Sequence, residues 1–350
     1  MNVRKKYIKL LLASVVALLG ASCSMDEHNE VCDYRVELRY DYNRENTTSL
    51  NVLQNYVGSI SEYIFDEDGV LYAVNHITPD PCDGSLKSTR DLPPGRYSVI
   101  SWGNLTQVCA VNDARTGITT RQLMELRIDN PCNTYAGFQN NGDRLFHAYR
   151  TFTVNPTGIS RIRVDMTHSH LSLRTRVRWA SGATKPPVGR ELQLRIESEP
   201  SQYDFMPEYV YATGSVVYHA PATHDRYNSI CGDWTPHIPK VHDDKNIVRH
   251  RLNTKVDTEY EAYCEFVTFR LLNDSDALLS VYEVDGTGAV TTQVGDTKNL
   301  GDYFMGEGIE LTRNLRQEFA IDIVVNADGT LSLSPLNIAE WDEGGAIGYN

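Results

Sequence analysis

The sequence predicts an all-β protein built from antiparallel β-sandwiches. Three observations lead there. Apolar and polar residues alternate with a period of two in segment after segment, turn-forming residues separate those segments, and no long segment sustains a 3.6-residue period. The 350 residues allow about two domains, at roughly 100–200 residues each. A net charge of −13 argues against a general nucleic-acid binder, which needs a concentrated basic face.

The N-terminus is an address. Arg4, Lys5, Lys6 and Lys9 precede an apolar run, Leu10 to Leu19, which is too short to span a bilayer. With the small residues Gly20, Ala21 and Ser22 this reads as an export signal over residues 1–22. Small residues directly before Cys23 resemble a bacterial lipobox, with cleavage between Ser22 and Cys23 and acylation of Cys23. Gly20 stands where a typical lipobox has Leu, and Leu19 lies one step further back. The alternative is an ordinary cleavable signal with an adventitious cysteine. Acyl chains on Cys23 supply about 0.8 kcal/mol per buried CH₂, so several chains make a stable anchor. Residues 23–31 form an acidic linker, and Asp26-Glu27 resembles a surface-export tag of Bacteroidetes lipoproteins. Losing residues 1–22 removes four positive charges and no negative ones, which moves −13 to −17.

The strands follow in order. From Tyr34 to Tyr42, Tyr34, Val36, Leu38, Tyr40 and Tyr42 share one face, and Arg35, Glu37, Arg39 and Asp41 share the other. Residues 63–74 read as a hairpin turning at Asp66-Glu67-Asp68-Gly69. Asp91-Leu92-Pro93-Pro94-Gly95 forces a turn into a strand over 96–102. Residues 118–128 fit a helical turn or a strand, and 129–147 look irregular. The strand pattern restarts at 151–154, continues through Ile162, Val164 and Met166, and returns from Leu171 to Trp179. Thr167-His168-Ser169-His170 is a bend or a continuation. Further strands are expected at 191–197, 214–219, 262–271 and 278–284, with a closing hairpin over 319–333. Residues 199–213 and 220–258 read as extended surface loops. A boundary near residue 149 gives domains over 32–148 and 149–350.

With Cys23 acylated, six cysteines remain: Cys32, Cys82, Cys109, Cys132, Cys231 and Cys264. An even number in an exported chain makes disulfides plausible, though six cysteines allow 15 pairings, and the alternative is that some are buried free thiols. No C-x-x-C spacing points to a zinc ribbon or redox centre.

No catalytic constellation stands out, and no cofactor or metal is expected. His168 and His170 share a face if they lie on one strand, and His219, His224, His237, His242 and His250 crowd the second half. None has the spacing of a zinc site. Asp66-Glu67-Asp68 lacks the further ligands of a calcium loop and reads as a turn. Arg161, Arg163, Arg174, Arg176 and Arg178 form a basic stripe, read as a solvated face balanced by acidic neighbours. There is no nucleophile elbow and no phosphate loop, so an enzyme is not expected.

Several pieces together resemble a known family. They are the lipoprotein signal, Cys32-Asp33-Tyr34-Arg35-Val36-Glu37-Leu38, Tyr63-Ile64-Phe65-Asp66-Glu67-Asp68-Gly69, and Leu92-Pro93-Pro94-Gly95-Arg96-Tyr97 running on to Ser101-Trp102-Gly103. Phe152–Trp179 and Ile338-Ala339-Glu340-Trp341 fit more loosely. The chain resembles the FimB-type fimbrial anchor lipoproteins of Bacteroidetes. That resemblance implies two tandem transthyretin-like β-sandwich domains and attachment to the outer membrane through lipid on Cys23. It also implies a surface-exposed role in anchoring a fimbria, and in limiting its length, through β-strand contact with fimbrilin subunits. The alternatives are a surface adhesin or glycan-binding accessory lipoprotein, and, more remotely, a secreted hydrolase.

Overall fold

The computed structural model describes residues 35–42, 53–105, 108–128, 138–139, 141–187, 190–205, 215–222, 261–285, 287, 289–312, 314 and 317–336. The elements of the first half are β1 (Arg35–Asp41), β2 (Ile60–Phe65), β3 (Leu71–Ile77), β4 (Lys87–Asp91), β5 (Gly95–Gly103), β6 (Cys109–Val111), β7 (Glu125–Ile128), β8 (Phe138–Gln139), β9 (Phe146–Val154), β10 (Ile159–Asp165) and β11 (Thr167–His168). There follow β12 (Leu171–Trp179), β13 (Glu191–Pro200), β14 (Gln202–Asp204), β15 (Ser215–Ala222), β16 (Ala262–Thr268), β17 (Leu278–Val284), β18 (Val290–Asn299), helix α1 (Leu300–Gly306), β19 (Gln317–Val325) and β20 (Leu331–Pro335).

The expected tandem sandwiches are present. In the first, a three-stranded sheet ordered β10-β1-β4 faces a five-stranded sheet ordered β11-β9-β5-β2-β3. Val36, Leu38 and Tyr40 of β1 pack with Ile60, Ile64, Val99, Phe152 and Val164 between them. In the second, sheets ordered β16-β12-β19-β20 and β18-β17-β13-β15-β8 enclose Leu173, Leu194, Ile196, Phe266, Val281 and Ile321. Antiparallel pairing predominates, but each sandwich also contains a parallel pair made by its first strand: β1 with β10, and β12 with β19. Alternation alone cannot reveal strand direction. The long connections within each sandwich supply the crossover that a parallel pair needs.

The division expected at residue 149 is corrected. It falls inside β9, which pairs with β5 along its whole length from Gly95↔Val154 to Gly103↔Phe146. Phe152, Val154, Val164 and Met166 all belong to the first core, and the second core begins at Leu171. The changeover lies in Thr167-His168-Ser169-His170, where the two-residue β11 ends the first five-stranded sheet before the chain enters β12. The pattern restarts at 151 because solvent-facing Arg150 and Thr151 interrupt it, not because the chain changes domain.

A third sheet, ordered β14-β7-β6, lies across the outer face of the first five-stranded sheet. Residues 118–128 resolve into a 3-10 turn (Arg121–Leu123) followed by β7. The stretch 199–213 was expected to be a surface loop. Its described part instead completes β13 and forms β14, with Tyr203 and Phe205 fully buried. Because this sheet covers one face and the first core the other, Tyr97 through Gly103 of β5 are all buried. A strand covered on both faces loses its alternation, as Val99-Ile100-Ser101-Trp102 does.

The first hairpin turns where expected. Asp66 Oδ1 accepts the backbone N–H groups of Asp68 (3.1 Å) and Val70 (2.9 Å), and Gly69 takes the positive φ of 76° that the turn requires. Asp66→Ala removes this acceptor without touching the core. A loss of about 1 kcal/mol in chemical denaturation is expected, with an unchanged m-value.

Candidate functional site

The predicted lipidation site Cys23, the cleavage position Ser22 and the acidic linker lie outside the described residues, as do Cys32, Cys132, Cys231, His224, His237, His242 and His250. Cys82 and Cys109 are free thiols, so the disulfide expectation fails for these two, and the buried Cys264 Sγ donates to Ala220 O at 3.9 Å. Among the described residues no group of three or more His, Cys, Asp or Glu is placed to hold a metal ion, and no helix is long and apolar enough to cross a membrane. The arginine stripe is balanced by acids. Arg163 pairs with Asp165 (2.7 Å) and Asp41 (3.2 Å), Arg176 with Asp322 (2.9 Å), and Arg178 with the same carboxylate.

The densest polar construction lies where the two sandwiches meet. Tyr203 of β14 is its centre. Its ring stacks between Phe269 (4.3 Å) and Trp102 (5.6 Å), both at 18°. Its hydroxyl accepts the backbone N–H of Arg270 (2.6 Å) and donates to Ser169 O (2.9 Å). One side chain thus ties β5 of the first sandwich, the crossing segment, and the end of β16 in the second. Beside it, Arg144 donates to Glu265 Oε1 at 2.7 Å. Ser172 donates to the same oxygen at 3.1 Å, and Arg174 lies 3.6 Å from it.

His168 and His170 do come together, with ring centroids 5.1 Å apart, but one nitrogen of each is engaged in the junction. His168 Nε2 bonds the Tyr42 hydroxyl (2.8 Å), and His170 Nδ1 bonds Leu145 O (2.8 Å). Burial, reinforced by Arg144, pushes the His170 imidazole down to about 4. Burial and Arg270 push His147, packed on Trp102 at 4.6 Å, down to about 3. Neutral imidazoles fit this dry interface, because a charged ring there would lose its hydration.

Sequence reasoning missed one buried acid. A bulge in β13 interrupts the pairing with β15 between Ile196 and Glu199, and Ser198 takes a positive φ of 63°. The extra residue turns Glu199 into the interior, where it is fully buried and neither carboxyl oxygen has a hydrogen-bond partner among the described residues. Burial raises its pKa to about 8. The nearby Thr268 hydroxyl is spent on Phe269 O (2.8 Å).

Sequence comparison now adds to this geometry. A profile of the fimbrillin-A associated anchor proteins Mfa1 and Mfa2 matches residues 29–343. This chain belongs to that family. No curated protein sequence matches it. Among solved structures, the fimbrial anchor protein Mfa2 from Porphyromonas gingivalis shares 16% identity, with a TM-score of 0.55 over 85% of this chain and 94% of that one. A candidate adhesin from Bacteroides thetaiotaomicron has 15% identity and a TM-score of 0.59 over 87% and 97%. A candidate polysaccharide-binding protein from the same organism has 14% identity and a TM-score of 0.57 over 87% and 98%. These likenesses establish the fold, and the family establishes a fimbrial or adhesin-type role at the cell surface.

For a member of a fimbrial anchor family, the sheet edges matter. An edge strand presents unpaired backbone groups to any incoming strand, and charges, bulges and prolines discourage that pairing. Edge strand β4 carries Lys87, Arg90 and Asp91, and edge strand β10 carries Arg161, Arg163 and Asp165. Edge strand β18 has two register shifts, and β20 ends on Pro335. By contrast β3, Leu-Tyr-Ala-Val-Asn-His-Ile, carries no carboxylate, Lys or Arg, and exposes Tyr72 and Val74. Its start is held by the 117–119 loop through Leu71, and among the described residues the backbone of the rest, beyond its pairing with β2, is reached only by Arg90 Nη2 on Val74 O at 3.5 Å.

Proposed function

We propose that this chain is a surface-exposed lipoprotein, held in the outer membrane by acyl chains on Cys23, that anchors a fimbria and limits its length. The observation that carries this reading is a family match across nearly the whole mature chain, directly behind an export signal that ends in cysteine. Contact with fimbrilin subunits runs through strand addition, and β3 is the edge best suited to it. Added backbone hydrogen bonds supply affinity, and side chains such as Tyr72 and Val74 supply fit.

Metabolic labelling with a fatty-acid analogue is expected to mark the wild type and not Cys23→Ala. Cells lacking the protein should shed fimbriae into the medium and carry overlong ones. Val74→Lys should weaken capture of fimbrilin while leaving the label in place. Fimbriae that stay attached and of normal length in the deletion strain would refute the anchoring role. Unlabelled wild type would refute the lipid.

A further inference from the structure

The third sheet covers only part of the outer face of the first five-stranded sheet. Where it stops, the face opens into a groove of about 940 Å³. Its floor is the ends of β5 and β9, where Arg96 is paired with Thr153 and Ser98 with Thr151. The 3-10 turn bearing Arg121 and the acidic tip of the β2–β3 hairpin wall it, joined where the Arg121 backbone N–H donates to Gly69 O at 2.8 Å. Tyr149 closes the end beside Arg121, whose guanidinium carbon stands 5.8 Å from the ring centroid.

The lining is informative because of its arginines. Those of the β10 and β12 stripe are neutralised by carboxylates. Arg96 and Arg121 have no carboxylate partner among the described residues, although the chain is strongly acidic and the hairpin tip is close by. Arg121 Nε is buried and makes no hydrogen bond, and Arg121 Nη1 reaches only the Tyr149 hydroxyl, at 3.5 Å. Two guanidinium groups with unused donors therefore line a floor of hydroxyls, and the adjoining hairpin tip holds carboxylate acceptors.

We infer that this groove binds an acidic oligosaccharide, one carrying a carboxylate or sulfate group. The guanidinium groups take the acidic group through charge-assisted hydrogen bonds. The carboxylates of the rim accept sugar hydroxyls, and Ser98 and Thr151 exchange hydrogen bonds with the ring substituents. A peptide is disfavoured. Across the floor β5 and β9 pair with each other, from Arg96↔Thr153 to Ser98↔Thr151, and the lining is mainly polar, with little apolar surface to hold alternate side chains. The volume lies within the roughly 300–1,000 Å³ of small-ligand sites, but the lining is far more polar than those usually are, which suits a hydroxyl-rich ligand. The site is independent of the anchoring edge at β3, and an anchor carrying it would also hold glycan at the base of the fimbria.

The test is an array of uronate-, sialate- and sulfate-bearing glycans alongside neutral ones, probed with the full mature chain. Hits are then measured by calorimetry. Retention of one or more acidic glycans over their neutral counterparts is expected. Arg121→Gln and Arg96→Gln should each weaken binding about tenfold or more, while Arg161→Gln, on the opposite sheet, leaves it unchanged. Both groove variants can be checked for folding by an unaltered thermal transition. Failure to retain any acidic glycan would overturn the proposal. So would equal binding of neutral glycans, binding that survives both groove substitutions, or equal binding of a poly-glutamate peptide.

Discussion

Unfolding free energy, measured in urea across pH 4.5 to 9, is expected to peak near pH 6.5, and Glu199→Gln is expected to remove the decline on the alkaline side. The reason is proton counting. Glu199 titrates at about 8 when folded, against about 4.5 when unfolded, so between those values the native state holds a proton that the unfolded chain has released. Stability therefore falls as pH rises through that window. The histidines act in the opposite sense. His147 and His170 are pushed down to about 3 and about 4 in the fold, and burial lowers His219 as well. Below about pH 6.5 the unfolded chain protonates them while the native protein does not, so stability falls as pH falls. Between pH 4.5 and 6.5 the histidines outnumber Glu199 and stability climbs with pH. From about pH 7 to 8 the unfolded histidines have largely released their protons, and Glu199 is the main group still changing.

At 1.36 kcal/mol per pH unit, the wild type should lose about 1 kcal/mol between pH 7 and 8. Glu199→Gln, which keeps the shape but cannot ionise, should be more stable than wild type at pH 8 by about 4 kcal/mol and should show no decline between pH 7 and 8. A wild-type profile that is already flat there, or an equal decline in the variant, would show that Glu199 does not remain buried and protonated.

The fold was legible wherever one face of a strand meets water. Val36, Leu38 and Tyr40 of β1, the alternation of β12, and the closing hairpin β19–β20 each write burial directly into a two-residue period. What escaped was whatever is buried on both faces or held by a non-local partner. β14 is three residues long and has no period of its own. Tyr203 and Phe205 are core residues only because β7 from the first half lies beside them. Phe146 and His147 sat in a stretch that looked irregular because Asn and Gly residues precede them, yet they begin β9. The pairing of His168 with His170 was visible in the sequence, but Tyr42 and Leu145, which engage their nitrogens, lie far away in the chain. Glu199 could have been found only as an acid breaking the alternation Leu192, Leu194, Ile196, and nothing local says that a bulge turns it inward rather than out.

The second large effect is expected at Tyr203. Tyr203→Phe keeps the stack on Trp102 and Phe269 but leaves the Arg270 N–H and Ser169 C=O without their hydroxyl partner in a buried site, a cost of about 1–3 kcal/mol. Tyr203→Ala loses the ring as well and opens a cavity between the sandwiches, a cost of about 3–5 kcal/mol. The two variants should also differ in kind. Tyr203 joins a residue of β5, the crossing segment at Ser169, and the backbone after β16, so it couples the stability of one sandwich to that of the other. Calorimetry of the wild type and of Tyr203→Phe is expected to give one cooperative transition, whereas Tyr203→Ala should split it into two. The Arg144–Glu265 pair persists in all three proteins, so a split in Tyr203→Ala isolates the contribution of the ring. A single transition in Tyr203→Ala, or a loss below about 1 kcal/mol, would mean that the sandwiches are coupled elsewhere. If the coupling does run through this ring, a pull on one sandwich reaches the other through a packed aromatic stack rather than a flexible linker, the mechanical property that the proposed anchoring role requires.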